Sequence, residues 1–230
     1  MKQSGKDLME EKESPDLLET NVSTVKSHLS VFGSRIFSVI KLLLGLVLLP
    51  FVYSFTLAFL AELGLVEIGY QHYFWAGVIS MLLFYLFIWE PAIIYNRGYR
   101  LVELIFNFFK PLVKVAPYLL PIYTIVLFLI FIVVFYIFRL KDSLVYFVFL
   151  FGLSLTMHLI FSAKTIRGKK GDLLKSNYIF GFSFIYILNL FLLALILNVI
   201  FNKFSLVNFL NNSFQIAASI FQAIFRQLFF

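Results

Sequence analysis

Few side chains in this sequence have the chemistry of a reaction centre, and their spacing matches no complete catalytic set. His158 lies inside an uncharged apolar run, and the other two histidines, His28 and His72, fall near or beyond the edges of such runs. A metal ion or a proton relay needs partners at short range, so a solitary imidazole in this setting reads first as a group hydrogen-bonded within a helical bundle. Asn189, Asn198 and Asn202 share one long apolar run. Amides there either bridge helices or, for Asn189 and Asn198 together with His158, build a polar site inside the bundle. Arg100 and Glu103 stand three residues apart, close enough to pair on one helical face or to line a polar cavity. The absence of cysteine excludes disulfides, thiolate metal sites and cysteine nucleophiles. Gly168-Lys169-Lys170-Gly171 lacks the preceding strand and the glycine spacing of a phosphate loop, and reads as a turn.

The elements that must carry these residues follow from composition. Of 230 residues, 61% are hydrophobic, 31 are Phe and only 13% are charged. Ordinary soluble domains are about 45–50% apolar and about 25% charged, and a small soluble fold cannot hide this much apolar surface. A bilayer removes the difficulty. Uncharged runs at 42–61, 68–89, 115–138, 143–163 and 176–202 are each bounded by charged side chains. Each is about 20 residues or longer, enough to cross a hydrocarbon layer of about 30 Å as a helix, which satisfies the backbone within a single segment. The expected fold is therefore an all-α, polytopic transmembrane bundle with five spans and one or two amphipathic or re-entrant helices. Trp75 and Trp89 sit towards opposite ends of the second run, as interfacial anchors should. Pro50, Pro117 and Pro121 interrupt the first and third runs, and each bends a helix or frees a carbonyl.

Three regions are expected: a polar tail at 1–35, disordered or loosely helical; a transmembrane domain at 36–203; and a Phe-rich amphipathic helix at 204–230. The first 41 residues carry six acidic and six basic side chains, so the net charge of +7 arises in the membrane part. Lys and Arg are absent from 62–72 but number four in 90–114 and five in 164–175. With five spans this places the N-terminus and the basic loops in the cytoplasm, and the expected location is a bacterial inner membrane. No cleavable signal peptide is visible, because the first apolar run begins beyond residue 35. No folded basic surface is available for a nucleic acid.

Two segments are amphipathic. Asn96, Arg100, Glu103, Asn107, Lys110 and Lys114 recur at steps of four and three, as do Asn208, Asn212, Gln215, Ser219, Gln222 and Arg226. Each series marks one helical face. Such helices either lie in the membrane interface or stand in the bundle with the polar stripe towards protein.

A run of elements resembles a known family. Tyr95-Asn96-Arg97-Gly98-Tyr99-Arg100-Leu101-Val102-Glu103-Leu104-Ile105 follows an apolar run and a Glu-Pro. Ala116-Pro117-Tyr118-Leu119-Leu120-Pro121-Ile122-Tyr123-Thr124 comes next, then Met157-His158-Leu159, Gly171-Asp172-Leu173 and Gly181-Phe182-Ser183 with Asn189. Across residues 36–205 this order resembles bacterial membrane zinc metalloproteases of the site-2-protease type, in a small branch with a Gly-His-Glu-Leu-Thr-His-Ala-Leu motif; the Ala-Pro-Tyr element is the specific part. With Gly98 on the glycine of that motif, Tyr99 and Glu103 occupy the positions of the two zinc-binding histidines, and Arg100 that of the general-base glutamate. Two neutral imidazoles four apart hold the zinc in the family and the carboxylate activates water; a permanently charged guanidinium would repel a divalent cation. The resemblance thus implies a non-catalytic member without cofactor or metal, in which Asp172 matches an Asp-Leu element but is not assigned as a ligand.

The expected function is a non-enzymatic integral membrane protein, a degenerate protease relative whose partners are the lipid bilayer and another membrane protein or a lipid. Its contact surfaces would be the polar face Asn96, Arg100, Glu103, Asn107 and the C-terminal helix. The alternative is a small transporter or channel subunit with His158, Asn189 and Asn198 around one cavity.

Overall fold

The computed structural model describes residues 15–88, 92–108, 115–137, 143–168 and 178–229. Among these, all regular structure is helical: α1 (Pro15–Gly64), α2 (Ile68–Leu83), α3 (Ala92–Ile105), α4 (Ala116–Leu119), α5 (Ile122–Ile132), α6 (Leu144–Gly168), α7 (Tyr178–Ile200) and α8 (Leu206–Phe229). Helices α2 and α5 run on into π-helical turns, Phe84–Ile88 and Val133–Ile137. The chain divides into two compact units, Met1–Ile40 and Lys41–Phe230. The described part of the first is the helical stretch 15–40, which begins within the segment whose composition reads as a tail. All other elements belong to the second.

Three helical segments are long and apolar enough to cross a membrane: Val39–Gly64, Leu144–Arg167 and Tyr178–Ile200. A fourth is reached if Ile68–Phe87 and Ala92–Ile105, bent by 116°, count as one span. The difference from five uninterrupted runs has a local cause. The third run is divided at Leu120–Pro121 into the four-residue α4 and the shorter apolar α5.

The main core lies where α1, α2, α5, α6 and α7 meet, built from Phe55, Phe59, Phe74, Phe131, Phe151 and Leu193 with their neighbours. Helices α2 and α6 form the closest pair, and two glycines explain it. A Cβ built on Gly77 would overlap the Phe149 carbonyl oxygen, and one built on Gly152 would overlap that of Phe74. Each helix therefore presses its backbone into the gap left by the other's missing side chain, the small-residue packing favoured where lipid supplies no hydrophobic drive between helices.

Turn chemistry fixes the helix ends. Gln71 Nε2 donates to the Val66 and Gly64 carbonyls at 2.6 and 3.2 Å, closing the end of α1. Between α7 and α8, the Ser205 amide donates to Glu62 Oε2 and the Leu206 amide to Asn198 Oδ1, both at 2.9 Å. Ser205 Oγ in turn accepts from the Asn208 amide at 3.2 Å, an N-cap for α8. The turn thus seats α8 against α1, antiparallel to it: Phe59 meets Phe204 and Phe209, Phe55 meets Phe209 and Phe214, and Phe51 meets Phe214 and Phe221.

Candidate functional site: a broken helix held by interior polar groups

The site begins with two prolines. Pro117 lies in the first turn of α4, where a missing N–H costs nothing. Pro121 forces the residue before it out of the helical region, and Leu120 is extended at φ −96°, ψ 121°. The Ile122 amide then turns back to the Leu120 carbonyl at 2.9 Å instead of reaching Tyr118. Helix resumes with the Ile125 amide on the Pro121 carbonyl at 3.0 Å. The break therefore diverts the amide that would serve the Tyr118 carbonyl and leaves that of Leu119 to be met from outside. In an apolar interior an unmet carbonyl is costly.

Two neighbouring helices supply the donors. His158 Nε2 of α6 lies 3.0 Å from the Tyr118 carbonyl oxygen; a carbonyl only accepts, so this nitrogen carries the hydrogen and the tautomer is assigned. Ser162, one turn further along α6, donates to the same oxygen at 3.4 Å. Its oxygen is 3.4 Å from the Tyr95 hydroxyl, which donates to it in turn. From α7, Asn189 Nδ2 donates to the Leu119 carbonyl at 3.1 Å and to Ile185, in its own helix, at 2.8 Å. Two carbonyl acceptors fix the amide's orientation, since a flip would set oxygen against oxygen. Asn189 is fully buried, and its Oδ1 has no hydrogen-bond partner among the described residues.

Helix α3 closes the site. Tyr99 and Tyr118 bring their hydroxyls to 3.1 Å, Tyr95 stacks on Phe161 with ring centroids 5.1 Å apart, and the Tyr123 hydroxyl donates to the Ile94 carbonyl. Gly98 admits the start of α5: a Cβ there would lie 2.6 Å from the Tyr123 ring and 2.9 Å from Ile122. Beside this cluster, Thr124 donates to Ser154 Oγ at 2.9 Å, and Ser154 to the Phe151 carbonyl.

The two groups of residues singled out from sequence fare differently. His158 and Asn189 meet at the break, whereas Asn198 serves the α7–α8 turn and takes no part in the cluster. On α3 the bundle-facing residues are Tyr95, Gly98 and Val102, while Asn96 and Arg100 are exposed and Glu103 is half-buried beside Tyr99; Asn107, also exposed, lies in the turn after the helix. Asp172 lies outside the described residues. Glu62, Gln71, Ser162 and the Gly77–Gly152 pair are the structural residues that sequence reasoning did not single out.

The arrangement suits hydrogen bonding better than metal binding. Tyr99 turns its hydroxyl to Tyr118, Arg100 is exposed, and the proton-bearing His158 nitrogen is engaged by a carbonyl; this set does not fit the zinc ion that catalytic members of the resembled protease family hold. Among the described residues, no three His, Asp or Glu side chains gather where they could hold a metal ion. No protein-family model, no curated protein and no solved structure matches this chain.

Proposed function

We propose that this chain is a non-enzymatic, multi-pass protein of a bacterial cytoplasmic membrane that holds another membrane protein against α3. One observation carries the reading. Helix α3 is fixed to the bundle through Tyr95, Gly98 and Val102, yet the helix displays Arg97, Arg100 and Leu104, and the turn after it Asn107 and Phe108; Leu104 and Phe108 are 78% and 83% exposed. Guanidinium and amide groups are badly placed in lipid, and Leu and Phe are badly placed in water. A surface that mixes both along α3 and the turn after it suits a partner with apolar and acidic groups at the membrane edge.

In this reading the N-terminus is cytoplasmic, the basic segments 90–114 and 164–175 lie inside, and the runs 68–89 and 115–138 complete five passes. Kinship with site-2-type proteases would then be that of a degenerate member, whose hydroxyl pair Tyr99–Tyr118 replaces metal chemistry with packing. Photo-reactive side chains placed singly at Leu104 and Phe108 in native membranes test the proposal. The expected result is a discrete protein adduct; adducts with lipid alone would refute it.

A second reading, a small carrier or channel subunit, is favoured by one feature: Asn189 Oδ1, without a partner among the described residues, beside a discontinuous helix, the setting in which transporters bind polar solutes. Specific solute flux in proteoliposomes, lost in Asn189→Leu, would support it.

A further inference from the structure

Helix α8 has a face that the bundle does not use. Its buried residues, Phe209, Ser213 and Ala217, pack towards the core. On the far side stand Asn208, Gln215, Ser219, Gln222 and Arg226, all exposed, with Asn212 half-buried. Among the described residues, Ser219 makes a side-chain hydrogen bond to the Ile216 carbonyl, and none is formed by the side-chain amides of Asn208, Asn212, Gln215 or Gln222. Because α8 lies antiparallel along α1 from Phe59 to Phe51, and these belong to the apolar segment Val39–Gly64, the row stands at bilayer depth. Unmet amides there face hydrocarbon and call for a protein partner.

The spacing says what kind of partner. Steps of four, three, four, three and four follow the 3.5-residue repeat of a coiled-coil seam, so the occupant is another helix crossing at a shallow angle. The chemistry says which helix. An amide is donor and acceptor at once, and the row is neutral from Asn208 to Gln222, so it is complementary to itself. Two copies inserted in the same sense and related by a two-fold axis along the membrane normal bring like residues together on parallel helices. Arg226 falls at the end of the row, where paired guanidinium groups can splay towards water. We infer that α8 is a self-association helix whose polar seam docks on the same seam of a second copy of this chain. This rests on observations separate from those for α3.

The natural absence of cysteine makes the test direct. Single cysteines are introduced at Gln215, Ser219 and Gln222 on the seam, and at Ala218 and Phe225, which are exposed but off it. Membranes are then treated with a mild oxidant, using two co-expressed tags to identify self-adducts. Disulfides need close Cβ atoms, so the seam positions should give about tenfold more covalent dimer than the flanking ones. Equal yields around the helix, no self-adduct at any seam position, or an adduct of another mass there would each overturn the proposal. None of these results would alter the adduct expected from α3.

Discussion

Asn189 donates to the Leu119 carbonyl across 3.1 Å, tying α7 to the break between α4 and α5. Among the described residues, the same amide's oxygen has no hydrogen-bond partner, in a fully buried position. The residue thus relieves one polar cost and carries another, which bounds what its removal can do. Asn189→Leu keeps the volume but strands the Leu119 carbonyl. An unmet buried acceptor costs about 1–3 kcal/mol, and deleting the orphan oxygen recovers part of that. The expected loss is about 1 kcal/mol in reversible unfolding from mixed micelles. A gain in stability would contradict the capping role.

His158 and Ser162 both reach the Tyr118 carbonyl, at 3.0 and 3.4 Å, so each is a reserve for the other. His158→Leu and Ser162→Ala should each cost on the order of 1 kcal/mol or less, whereas the double variant leaves the oxygen bare. Its loss should exceed the sum of the singles by about 1 kcal/mol. Strict additivity in the same unfolding assay would mean that the two do not share the acceptor.

The glycines rank themselves. At Gly77 and Gly152 an added methyl meets the backbone of the facing helix, which cannot yield without separating α2 from α6. Gly77→Ala should therefore cost about 3 kcal/mol or prevent folding, at the upper end of overpacking penalties. Gly98→Ala meets the Tyr123 ring and the tip of Ile122, which can shift, so its cost should be nearer 1 kcal/mol. Thermal inactivation of the detergent-solubilised variants would show the order, and an equal effect at the two sites would speak against backbone contact.

Metal content separates the degenerate reading from a working protease. Purified in detergent with any tag removed, the protein should carry no stoichiometric zinc by elemental mass spectrometry, and chelation should leave its unfolding unchanged. One zinc per chain would contradict the account and direct mutagenesis to Glu103, His158 and Asp172.

Part of this is legible in the residues. Of the five long uncharged runs, three become helices long and apolar enough to cross a membrane, and the two prolines four residues apart in the third run announce its break. His158 and Asn189 stand out because polar groups in apolar runs must find partners. What they bind is not legible, since their acceptors, the carbonyls of Tyr118 and Leu119, are set free by backbone geometry at a distant point in the chain. Composition alone groups Asn198 with them. Nine residues beyond Asn189 is about two and a half turns, so it faces the other way and serves the next turn. Glu62 looked like the end of a span; its partner, the Ser205 amide, lies 143 residues away. An isolated glycine in an apolar run signals close packing, but nothing local pairs Gly77 with Gly152.

Partner recognition is proposed to rest on the exposed face of α3, and Arg100 is its most chemically specific element. The deciding measurement is the yield of the protein adduct from a photo-reactive residue at Leu104, with Arg100 intact and with Arg100→Glu. Because Arg100 is exposed, reversing its charge should leave the fold alone. A discrete adduct should form and fall about tenfold on charge reversal, the loss expected when like charges meet at a recognition face. An adduct that persists unchanged, or labelling of lipid alone in both forms, would contradict it.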